Sequence, residues 1–120
     1  MQRFENAVES LEQALHSPPS FQRSWSHIVR LRAAQVADAL TAESPVAVDS
    51  WLAARVGHLD RERNRLLTRL TVLATMLNEC AEIESVRESF SRLVLDVRHH
   101  HQRLNDLAYD ALALDVGGSE

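Results

Sequence analysis

Apolar residues recur along the chain in four blocks, each with the spacing of one helix face. In the first, residues 2 to 16, Phe4, Val8, Leu11 and Leu15 form a stripe, and Glu5, Glu9 and Glu12 lie off it. Ser17-Pro18-Pro19-Ser20 ends this block, because proline cannot continue the hydrogen-bond ladder and restricts the residue before it. The second block, about 20 to 42, carries Phe21, Trp25, Ile28, Val29, Val36 and Leu40, with Ser17 or Ser20 as its N-cap. Ser44-Pro45 closes it. The run Pro45 to Val48 is β-like but has no partner strand in the sequence, so it reads as a connector.

The third and fourth blocks are longer and more regular. From Asp49 or Ser50 to Cys80 the seam is Leu52, Val56, Leu59, Arg63, Leu66, Leu70, Leu73, Leu77 and Cys80. From Glu84 to Leu114 it is Val86, Phe90, Leu93, Val97, His100, Leu104, Leu107, Ala111 and Leu114, with Val94, His101 and Ala108 widening the face. Steps of three and four alternate, as in a coiled coil or helical bundle. Four helices with short connections predict an all-α, up-down-up-down four-helix bundle with a long C-terminal antiparallel hairpin. One domain over 1–116 and a loose tail over 117–120 follow from the length and the terminal glycines. The scarcity of turn residues, 3 Gly and 3 Pro, argues against a strand-rich alternative.

Each long seam has one polar interruption, Arg63 in the third block and His100 in the fourth. A turn near Ile83 pairs residues of these blocks whose numbers total about 166. That sets Leu66 opposite His100, and Arg63 opposite Leu104 or Arg103. A turn near Pro45 would bring His27 level with Leu66. The reading is a polar core layer of Arg63 and His100, joined by His101 and His27, with Glu9, Glu12 or Asp60 as counter-charges. Such a layer fixes helix register. The same side chains allow an alternative, a metal site of His27, His100, His101 and Glu62 holding iron or zinc, since bundle sites are built from inward side chains at mid-height. Of the run His99-His100-His101, the first faces outward, and consecutive helical residues point about 100° apart, so the three cannot share one ion. Asp96, one turn earlier, is placed to orient an imidazole.

His58-x-x-x-Glu62, His101-x-x-x-x-Asp106 and Tyr109 resemble two ligand motifs of hemerythrin-like oxygen-binding di-iron bundles, with His27 in the place of that family's first-helix ligand. The resemblance covers a handful of positions and implies a di-iron site in a four-helix bundle. The family's third-helix His-x-x-x-His pair has no counterpart here. Its two motifs also sit on parallel helices, whereas the blocks carrying them here are antiparallel neighbours. A degenerate hemerythrin-like, metal-binding bundle is therefore the alternative function.

The leading expectation is a non-enzymatic interaction module, self-associating as a homodimer or docking on a partner helix. The level arithmetic leaves the hairpin tip, residues 73 to 93, projecting roughly 10–15 Å at ~1.5 Å per residue. It carries Leu73, Met76, Leu77, Cys80, Val86, Phe90 and Leu93, an apolar surface suited to an interface. A second stripe, Leu95, Tyr109, Leu112 and Val116, points the same way.

Charge and cysteine usage narrow the setting. Net charge is −4, a poor match for nucleic acid. All 13 basic residues are Arg, which excludes lysine-based nucleophiles and fits the coding bias of a high-GC bacterium. No apolar run approaches the roughly 20 residues of a membrane span. The lone Cys80 reads as a small core residue and fits a reducing cytoplasm. No Gly-x-Ser-x-Gly elbow, Gly-rich phosphate loop or His-Glu-x-x-His occurs, and no enzymatic activity or cofactor is expected.

Overall fold

The computed structural model describes residues 2–16, 22–43, 52–78 and 82–118, with side chains described over 3–16, 24–43, 52–78 and 82–113. The expectations placed on Ser17 to Phe21, on the Pro45–Val48 connector and on Cys80, and on the side chains of Leu114 and Val116, lie outside these residues. Among the described residues there are four helices, α1 (Gln2–His16), α2 (Gln22–Thr41), α3 (Ala53–Asn78) and α4 (Ile83–Gly118), and no strand. Each packs against its neighbours in the order α1–α2–α3–α4 and α4 closes back on α1, the up-down-up-down bundle. The molecule is a rod of 61 × 23 × 19 Å. Helix α4 runs on through Gly117 and Gly118 rather than ending near Leu114; glycine weakens a helix but, unlike proline, removes no hydrogen bond from it.

The apolar stripes become the core. Phe4, Val8, Leu11 and Leu15 of α1 are buried, joined by the small Ala7 and Ala14. From α2 come Trp25, Val29, Ala33, Val36 and Leu40, while Ile28 turns outward and is 42% exposed. Leu66, Leu70 and Leu73 of α3 meet Val86, Phe90, Leu93, Val94 and Val97 of α4 in the same cluster. Ala108, expected to widen the α4 face, is exposed. Side chains also tie the α1–α2 pair: Trp25 Nε1 donates to the Ala14 carbonyl at 2.9 Å and Arg32 Nη1 to that of Ser10 at 2.8 Å. Where α4 returns past α1, Arg98 pairs with Glu12.

The register of the long hairpin matches the sequence arithmetic. Arg55 pairs with Asp110, Glu62 with Arg103 and Arg69 with Asp96, and in each pair the two numbers total 165. The register of α2 on α3 does not match it. Arg30 bonds Asn78 at the far end of α3, and Glu43, just past α2, reaches the level of Glu62. Relative to a tight turn at Pro45, α2 is displaced along α3 by about 20 Å toward the hairpin tip.

That displacement reverses which end projects. The expected interface at the tip is corrected: Phe90 and Leu93 are 0% exposed, Leu73 is buried, and Met76 and Leu77 pack half-buried against the same cluster. These residues are bundle core because α1 and α2 lie over them. The opposite end extends instead, since the nine residues of α3 before Glu62 run about 14 Å beyond the end of α2. There Leu52, Leu59 and Leu107 form a second, smaller cluster, with Val56, Leu104 and Ala111 against it.

Candidate functional site

Between the two apolar clusters lies a polar layer centred on His100. Its position follows from the α4 seam: Val97 closes the main cluster, Leu104 and Leu107 belong to the second, and His100 occupies the seam position between. The imidazole is 0% exposed. Nδ1–H donates to Glu62 Oε1 at 2.7 Å, and Nε2–H to both carboxylate oxygens of Glu43 at 3.0 Å. A neutral imidazole has one donor, so with both carboxylates ionised the two contacts are satisfied together only by the imidazolium. Arg103, one turn further along α4, holds Glu62 from the other side through Nε at 3.2 Å and Nη2 at 2.7 Å, a two-point grip that lysine would not reproduce.

The charges of the four groups cancel. Burial alone would lower the affinity of His100 for its proton, but the hydrogen bonds and charges of Glu43 and Glu62 outweigh it and hold the pKa above 6.5. Burial likewise raises the carboxyl of Glu62, yet Arg103 and His100 together pull it below 4.5. Next to this layer His101 takes the opposite course. Its ring stacks on Phe4 with centroids 4.1 Å apart, both nitrogens are buried without a hydrogen bond, and burial pushes its pKa below 6.5.

Of the residues expected in the layer, His100 is at its centre and Arg63 is not in it. Arg63 stays half-buried on α3, 3.9 Å from Asp60, and the residue one step earlier, Glu62, takes the inward seat. Glu12 and Asp96 are engaged by Arg98 and Arg69, and Glu9 is exposed. The proposed metal set is not assembled. His27 is exposed beside Arg30, and sixteen residues, about 24 Å of helix, separate it from Glu43 at the His100 level. His101 faces Phe4, and the two carboxylates at His100 sit on opposite edges of the ring, where they cannot converge on one ion. Among the described residues no three His, Cys, Asp or Glu side chains are grouped to hold a metal. Sequence reasoning missed Glu43, whose role depends wholly on the α2 register. It also left Glu62 on a solvated, ion-paired helix face or in the metal set, although Glu62 and Arg103 satisfy the hairpin arithmetic.

On the projecting end, a shallow groove of about 270 Å³ between α3 and α4 is lined by Ala54, Arg55, His58, Leu59, Arg103 and Asp106. It contains His58 and Asp106 of the hemerythrin-like motifs, while Glu62 is committed to the interior. Beyond the groove, Tyr109 and Leu112 are 73% and 64% exposed, a turn apart on α4. Among the described residues no helix is long and apolar enough to cross a membrane. The fold and this layer define an all-α four-helix bundle with a buried charge network. No protein-family model, curated protein or solved structure matches the chain.

Proposed function

We propose that the chain is a non-enzymatic interaction module that self-associates through the outer face of the projecting part of α4. The observation carrying this reading is the exposure of Tyr109 and Leu112, large apolar side chains one turn apart beyond the end of α2. Exposed residues of this kind, tyrosine above all, are the usual anchors of interfaces. The occupant is a second copy. A two-fold interface needs a surface complementary to itself, and this end presents Arg55 and Arg103 beside Asp106 and Asp110 within a few turns. The lone Cys80 supports a reducing, cytoplasmic setting, and the all-arginine basic set a bacterial one.

Light scattering on the untagged chain tests the reading. A dimer is expected, and Leu112→Glu is expected to give a monomer with unchanged helicity, because the side chain takes no part in the core of one copy. A wild-type monomer independent of concentration would overturn it.

A further inference from the structure

We propose that His100 is a proton-operated clasp that fastens the C-terminal end of α2 to the α3–α4 hairpin and releases it when the proton leaves. The geometry determines which contact gives way. With one proton removed, the imidazole keeps a single donor, and one nitrogen turns a lone pair toward a carboxylate. Glu62 has a second partner in Arg103, at 2.7 and 3.2 Å. Glu43 has no partner but His100 among the described residues, and its side chain is 9% exposed. A buried carboxylate without a donor is far costlier than a solvated one, so Glu43 moves to water.

The backbone around Glu43 is built to move with it. It lies past the end of α2, where Ala42 N–H bonds the Asp38 carbonyl at 3.0 Å and Glu43 N–H bonds that of Leu40 at 3.3 Å. A last turn secured by two such bonds opens at low cost once its side-chain anchor is lost.

The other charged groups packed around the site do not replace His100. Arg103 from α4 is always charged and already engaged by Glu62. His101, also from α4, is stacked on Phe4 of α1, and its burial disfavours a proton despite the charges of Glu5 and Glu43. The clasp is independent of the self-association reading, because Tyr109 and Leu112 take no part in it.

The test uses the Leu112→Glu chain, so that oligomeric state does not enter, with NMR of the His100 ring nitrogens and amide exchange from pH 6 to pH 9. At pH 6 both ring nitrogens are expected to carry protons. As His100 titrates, protection of Ala42 and Glu43, corrected for the intrinsic rate, is expected to fall by about tenfold for each unit its pKa exceeds that of free imidazole. At every pH protection of Ala42 and Glu43 is expected to stay below that of the core residue Leu11, because the clasp opens without unfolding the bundle. Glu43→Gln is expected to abolish the fall at Ala42, because an amide can face either form of the ring with an oxygen or an N–H. Titration without loss of protection, protection at Ala42 equal to that at Leu11, a persisting fall in Glu43→Gln, or a single ring proton at pH 6 would each overturn the clasp.

Discussion

The ring of His101 lies nearly parallel to that of Phe4, 13° between planes, as an apolar side chain would, with neither nitrogen hydrogen-bonded. The α1–α4 contact thus treats a titratable residue as an aromatic one. Because burial lowers its pKa, the unfolded chain takes up the proton first. His101 therefore disfavours folding increasingly as pH falls below 6.5. His101→Phe keeps the stack and removes the polar atoms. It is expected to raise stability by about 1–2 kcal/mol, more at pH 5 than at pH 8, as measured by urea unfolding at both.

His100, one residue earlier, has the opposite sign. Its pKa is raised in the folded protein, so its contribution is complete below pH 6.5 and is lost as pH rises through the folded value. Glu62, lowered in the folded protein, contributes fully above pH 4.5 and loses that contribution as pH falls through its folded value. The layer is therefore most stabilising between about pH 4.5 and 6.5. In denaturant titrations, Glu43→Gln is expected to make the decline above neutrality shallower. A decline as steep as that of wild type would exclude His100 as its source.

Phe90 sits at the centre of the bundle with no exposed surface, packed among residues of the main cluster. Phe90→Ala removes the largest fully buried side chain among the described residues and leaves a cavity, for an expected loss of about 3–5 kcal/mol. Circular dichroism melts read that loss directly. A charged residue at this position is expected to unfold the monomer, whereas an interface residue would only have separated two folded copies.

The helices, their buried stripes and the pairing of α3 with α4 were legible because each depends on local periodicity or on one short turn. Val86, Phe90, Leu93, Val97 and His100 all follow from alternating steps of three and four. The polar layer was half legible. His100 breaks its seam and so announces itself, but Glu62 and Arg63 are adjacent on the helix and either can swing inward. The choice fell to the residue that completes a charge pair with both His100 and Arg103. Glu43 carried no local signal, since its place depends on how far α2 slides along α3, and periodicity is blind to a slide. The same blindness placed the bare end of the hairpin at Phe90 rather than at Tyr109.

That slide can be tested without reference to stability. In a Cys80→Ser background, the pair Arg30→Cys and Asn78→Cys places two thiols where the native side chains touch. A short bifunctional maleimide is expected to join them within one chain in high yield. Pairing Arg30→Cys with Arg63→Cys instead tests the register of a tight turn at Pro45. In the observed fold the fifteen residues from Arg63 to Asn78 put that second thiol about 22 Å away along α3. Cross-linking of the second pair and not the first would return α2 to the lower position. Glu43 would then lie far from His100, and Phe90 would be uncovered at the tip.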